Sequence, residues 1–230
     1  MGIACIIKIF TQEGFMSFGV MLQQLTWGFG QTVLIFVLTL VFSLPLGLLI
    51  YFGRSSKLKI VSAIVKVYIS IMRGTPLMLQ LLLWYFTPYY LFGLSIAGYK
   101  FTAIILGCSF NYAAYFAEIY RSGIESIPVG QYEAAQILGY SKSQTFIHII
   151  LPQMIKRVLP AVTNEVITLV KDTSLVFTVS YIEMFTLAKQ IAAAETTIMP
   201  FIVAGIFYYV FNAVVAFVMA RLEKKLSYYR

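Results

Sequence analysis

Four charged residues stand inside stretches that are otherwise almost all hydrocarbon: Arg73, Glu165, Lys171 and Asp172. Holding a charge near the centre of a bilayer costs about 2.5–3.5 kcal/mol even on a lenient insertion scale, so such side chains mark functional sites by default. Glu165 precedes Asp172 by seven residues, two helical turns, which sets both with Thr168 on one helix face. Arg73 lies fourteen residues beyond Lys59, and Lys171 fourteen beyond Arg157. Each interval is roughly 21 Å along a helix, so the two regions are expected to meet near mid-membrane, with Arg73 buried. The Gly74-Thr75-Pro76 break suits Thr75 as an N-cap and Pro76 as the first residue of a new helix. A helix start presents free amides and a positive dipole end, so Arg73, Thr75 and those amides form a candidate anion site. Glu165 and Asp172 form a candidate cation site, and Gln80, seven residues beyond Arg73, offers neutral hydrogen bonds together with Asn111 and Tyr115. The competing reading is structural: Arg73 paired with Asp172 would simply lock two helices together, and the Lys-Asp-Thr-Ser run from Lys171 reads equally as a helix break.

The elements that must position these groups are set by composition. The chain has 230 residues, 60% of them hydrophobic, and a mean hydropathy of +0.85. Several runs approach the roughly 20 apolar residues that cross a bilayer, which leaves no room for a soluble catalytic domain. Lys and Arg outnumber Asp and Glu by 17 to 9. In this context the surplus reports orientation rather than nucleic-acid binding. Crossings are expected at residues 31–52, 60–92 (too long for one simple span, and broken after Arg73), 101–120, 158–179 and 200–220. Residues 1–26 suit an amphipathic segment at the membrane surface, and residues 226–230 a cytoplasmic tail. Eleven cations fall on the inner segments of this topology and three, Lys8, Lys100 and Lys189, on the outer ones. The chain therefore reads as an all-α membrane protein of about five transmembrane helices, N-terminus outside and C-terminus inside. Trp84, Tyr85, Phe86, Tyr89 and Tyr90 fit an interfacial aromatic belt. Cys5 and Cys108 are too few and too apolar in setting for a disulfide or metal site, and the N-terminus makes a poor signal peptide or myristoylation site.

One polar stretch, residues 128–152, must face water. Pro128 suits the first turn of a helix, and Gly139 stops that helix at a left-handed position. Ser141 and Gln144 have capping-box spacing, and Pro152 is expected to close a second short helix. Glu133, Ala134 and Ala135, then Gly139, then Ile149, Leu151 and Pro152 carry the spacing of the cytoplasmic coupling loop, the Glu-Ala-Ala motif, of ABC importer permeases. With Arg73-Gly74-Thr75-Pro76-Leu77 and Lys171-Asp172-Thr173-Ser174-Leu175, the chain resembles the polar amino acid branch of that family from about Thr26 to Lys225.

The resemblance implies a type I ABC importer permease fold over residues 27–225 in the bacterial cytoplasmic membrane. It also implies a cytoplasmic ABC ATPase dimer that grips the coupling helices, an external amino acid-binding protein, and a second permease subunit, either a copy or a close relative. ATP and Mg would act on the partner ATPase, and this chain would bind no cofactor. Arg73, Gln80, Asn111, Tyr115, Glu165 and Asp172 would then line a substrate path. A carboxylate would sit at Arg73, and an ammonium or cationic side chain at Glu165 or Asp172.

No phosphate-binding loop ending in Gly-Lys-Ser or Gly-Lys-Thr occurs, so ATP hydrolysis belongs on another chain. No catalytic nucleophile–base pair or metal-ligand cluster is apparent, and His148 is expected to be a surface histidine. Glu118 and Arg121, three residues apart on one helix face, are expected to form a structural ion pair at the cytoplasmic edge. The rival reading is an ion-coupled secondary amino acid transporter or channel. The protruding hairpin counts against it.

Overall fold

The computed structural model describes residues 16–226, all of whose regular elements are helices. The expected surface segment lies mostly outside the described residues, as do Cys5, Lys8 and the end of the tail. Helix α1 spans Phe18–Arg54 as one rod. It therefore begins thirteen residues before the expected span, because Met21 and Leu25 are buried in an apolar cluster with Met184, Ala188 and Val203. Its inward stripe is Met21, Leu25, Gly28, Thr32, Ile35, Phe36, Thr39, Ser43 and Gly47, while Val41, Phe42 and Leu49 point outward. Gly28, Thr32, Thr39, Ser43 and Gly47 lie on the protein-facing stripe because close backbone approach rewards small residues, while large apolar side chains occupy both faces, since hydrocarbon gives no drive to hide them.

Helix α2, Lys59–Gly74, and α3, Leu77–Phe92, are separated by the Thr75–Pro76 break and bent there by 114°. Pro76, not Thr75, occupies the cap of α3. The Thr75 hydroxyl instead donates back to the Ile71 carbonyl at 2.8 Å and so serves the end of α2.

Helix α4, Lys100–Glu125, is the central post: fifteen of its residues are buried, and α1, α2, α3 and the helix that follows the hairpin, Leu151–Asp172, pack against it. Then come α5, Val129–Ile137, and the single turn α6, Lys142–Gln144. A π-helical segment, Thr145–Ile150, leads directly into α7, Leu151–Asp172. Pro152 thus does not close a second short helix. It sits in the first turn of α7, where its missing N–H is tolerated, and the wider π turn before it absorbs the change of register. A 3₁₀ segment, Thr173–Val179, ends α7, followed by α8, Met184–Glu195, and α9, Met199–Leu226. By length and apolarity α1 and α9 can each cross a membrane, and two bent units, α2 with α3 and residues 142–179 with α8, pass the same test together.

Candidate functional site

The α2–α3 break leaves backbone groups without helical partners, and two residues from the expected substrate set supply them. Gln80 Nε2 donates to the Met72 carbonyl at 2.9 Å and to Thr75 Oγ1 at 2.8 Å. Asn111 Nδ2, from α4, donates to the same Met72 carbonyl and to Gln80 Oε1, each at 3.0 Å. Both side chains are buried and these bonds tie them to protein groups. The break is pinned to the middle of α4 by this pair.

Arg73 is not buried. Its side chain is 44% exposed and projects into an open-sided cavity of about 540 Å³, lined also by Tyr115, Glu118, Arg121, Arg157 and Glu165. The Arg73 guanidinium lies over the Tyr115 ring, 5.3 Å from its centroid, and 3.8 Å from Glu118 Oε2. Glu118 does pair with Arg121, Nε to Oε2 at 3.1 Å, but also with Arg54 from the end of α1. The expected separation between an edge pair and a mid-membrane arginine is thus absent. Path length along α2 is not depth, because the end of α2 lies beside Glu118.

Among the described residues there is no Arg73–Asp172 ion pair. Asp172 instead accepts a hydrogen bond from Tyr112 Oη at 2.7 Å, within the contact between α4 and α7, and does not line the cavity. Lys171 and Thr168 are exposed on α7. Of the six expected substrate residues, then, the structure brings Arg73, Tyr115 and Glu165 to one cavity, places Gln80 and Asn111 in the adjoining break, and sets Asp172 against Tyr112.

Two groups were missed from sequence. Arg54 looked like one flanking cation among several. Glu183, between the crossings expected at 158–179 and 200–220, is fully buried: it caps α8 through the amides of Phe185 and Thr186 at 2.8 and 2.7 Å, and accepts from Thr32 and Tyr208, each at 3.2 Å. An acidic residue just before a helical run was the available signal.

The hairpin is built as its residues require. Gly139 has φ +78°, and the Gly139 and Tyr140 amides donate to the Gln136 and Ala135 carbonyls, both at 3.0 Å, closing α5 in a Schellman turn. Ser141 and Gln144 form the reciprocal capping box. Ala135 is fully buried, Glu133, Ala134 and Pro152 are exposed, and Ile149 and Leu151 pack against the core. Ile137 and Leu138 project at 86% and 72% exposure. Gln153 Nε2 donates to Gln131 Oε1 at 3.2 Å, tying the hairpin to α7, and Arg157 donates to the Ser126 carbonyl, tying α7 to the end of α4. His148 is exposed, its ring edge-on to Tyr140.

A helical membrane bundle with a charged cavity and an exposed polar hairpin has the parts of a transport subunit. The comparisons with known proteins specify which kind. Residues 43–228 match the family described as binding-protein-dependent transport system inner membrane component, and the chain belongs to that family. It is 36% identical to the arginine transport system permease protein ArtQ of Bacillus subtilis (strain 168), over 87% of this chain and 91% of that one. It is 31% identical to the L-cystine transport system permease protein TcyB of the same organism, over 91% of each. A crystal structure of an amino acid ABC transporter with histidines superimposes with a TM-score of 0.82 at 30% identity, covering 94% of this chain and 100% of that chain. The protein is an integral membrane permease subunit, and ATP hydrolysis in such systems occurs in a separate subunit.

Proposed function

We propose that this chain is the membrane-spanning permease subunit of an ATP-binding-cassette importer that carries polar amino acids across the bacterial cytoplasmic membrane. It crosses five times, with its N-terminus outside and C-terminus inside. A cytoplasmic ATPase dimer, with ATP and Mg, grips the hairpin at Glu133–Pro152, an external binding protein delivers the substrate, and a second permease subunit completes the path. Nucleotide-driven closure of the ATPases pushes on Ile137 and Leu138. Arg157 and Gln153 transmit that push to α4 and α7.

The observation that carries the amino acid reading is the presence of a guanidinium, Arg73, and a carboxylate, Glu165, on one cavity of about 540 Å³. That volume lies within the range of small-molecule sites. Arg73 takes the substrate carboxylate, Glu165 takes its ammonium or a cationic side chain, and Tyr115 steadies Arg73 from the side. Asp172, hydrogen-bonded to Tyr112, shapes the α4–α7 wall, while Gln80 and Asn111 hold the break at which the path narrows. Glu165 favours a basic amino acid, in keeping with the similarity to a protein named for arginine transport.

The test is substrate-stimulated ATP hydrolysis in liposomes holding the chain with its ATPase and binding protein. Arg73→Ala removes a charge-assisted contact worth about 1.5–3 kcal/mol, so half-saturation for any amino acid should rise roughly ten- to a hundredfold. Glu165→Ala should weaken arginine more than glutamine. Unchanged half-saturation in both variants would remove this cavity from the path.

A further inference from the structure

Glu118 receives guanidinium groups from three directions. Arg54 comes from the C-terminal end of α1 and Arg121 from the next turn of α4, while Arg73 reaches in from the end of α2. The contacts are not equivalent. Arg121 Nε stands 3.1 Å from Oε2, whereas Arg73 Nη1 stands 3.8 Å from the same oxygen, and Arg73 is the most exposed of the three, at 44% against 22% for Arg54 and 32% for Arg121. Glu118 itself is only 13% exposed. It is therefore firmly neutralised by two arginines and loosely engaged with a third, which faces the cavity.

We propose that Glu118 is a positioning residue: the internal carboxylate that holds Arg73 while the cavity is empty, yields it to the carboxylate of an arriving amino acid, and so sets the apparent affinity of the site. The proposal rests on Arg73 taking the substrate carboxylate. Three features make the exchange cheap. The substrate carboxylate replaces Glu118 at Arg73 like for like. Glu118, once released, still has Arg54 and Arg121, so no buried charge is left uncompensated. The Arg73 guanidinium lies over the Tyr115 ring, 5.3 Å from its centroid, and this cation–π attraction needs no N–H···O bond, so it can persist as the guanidinium passes from one carboxylate to the other. Affinity is lowered by the fraction of Arg73 that Glu118 keeps occupied. Loading the site also tightens Glu118 on Arg54 and Arg121, which draws together the inner ends of α1 and α4. Only residues 126–128 separate the end of α4 from the first helix of the hairpin.

The experiment is equilibrium binding of L-arginine, L-glutamine and L-cystine, each against its carboxamide, to the full-length chain co-purified with its ATPase in nanodiscs. Glu118→Gln should bind the amino acids about fivefold more tightly and leave the amides, which carry no competing carboxylate, unmoved. Arg54→Gln frees Glu118 to hold Arg73 harder, so amino acid affinity should fall while amide affinity stays; this opposite sign carries the test if Glu118→Gln fails to fold. Glu118→Asp, which keeps the carboxylate, should keep the wild-type preference. Amino acid and amide affinities moving together in Glu118→Gln, or not at all, would overturn the proposal, as would tighter amino acid binding in Arg54→Gln. Arg73→Ala separates the two readings, since it should erase the acid-over-amide preference. If that preference survives, or the wild type never shows one, the carboxylate role of Arg73 falls, and the Glu118 proposal with it.

Discussion

Asn111, 4% exposed, donates through one amide nitrogen to both the Met72 carbonyl and Gln80 Oε1. No water competes for these groups in a packed membrane helix, so the bonds are worth most through the cost of losing them. Asn111→Leu keeps the volume and removes both donors, leaving Gln80 Oε1 without this partner in a buried site. A destabilisation of about 1–3 kcal/mol is expected, read as a lower thermal midpoint in detergent. Arg73→Ala, at an exposed side chain, should leave that midpoint nearly unchanged while weakening the ligand. The contrast separates a residue that builds the site from one that works in it. Both types were visible in the sequence as polar groups in apolar stretches. Which was which depended on neighbours from another helix.

The hairpin is the element most completely specified by local chemistry. Gly139 sits at φ +78° with nothing near the position a Cβ would take. Gly139→Ala thus meets no clash and pays only the left-handed backbone cost, about 1–2 kcal/mol. That strain is local, so amide hydrogen exchange across residues 133–152 should accelerate while protection of the α4 core stays as it was. The same variant should lower the number of amino acids imported per ATP hydrolysed. Equal exchange in the hairpin of both proteins would show that the Schellman turn does not rigidify it. Ser141→Ala should loosen the hairpin in the same direction, by about 1 kcal/mol for the lost cap.

The whole bundle depends on how closely α1 approaches α4. A Cβ at Gly47 would stand 2.8 Å from Phe116 Cβ and 3.1 Å from the Ala113 carbonyl oxygen, neither of which can swing aside. Gly47→Ala must push α1 away from the central post and is expected to cost about 1–3 kcal/mol. Gly205, on α9, has open space instead. Gly205→Ala should be neutral or stabilising by up to about 1 kcal/mol, because alanine loses less backbone freedom in a helix. Opposite shifts in the thermal midpoints of these two variants would verify which helix faces are packed and which look outward. The exposed Ile206, Tyr209, Val214 and Phe217 put α9 on the outward side.

The sequence by itself determined the all-helical membrane class, the transport family, the hairpin with its glycine turn and capping box, and the short roll of polar residues from which a site could be made. These properties are local or compositional: helix caps, turn glycines and apolar runs act through residues a few positions apart, so spacing alone reveals them. Tertiary structure decided the rest. It drew Arg73 to Glu118 rather than Asp172, gave Gln80 and Asn111 to the α2–α3 break, buried Glu183 beneath α8, and ran α7 through Pro152 without a stop. Charge pairing in a bundle is settled by which helices touch and at what angle. Hydropathy carries neither piece of information, because an apolar residue facing lipid and one facing another helix look alike in one dimension.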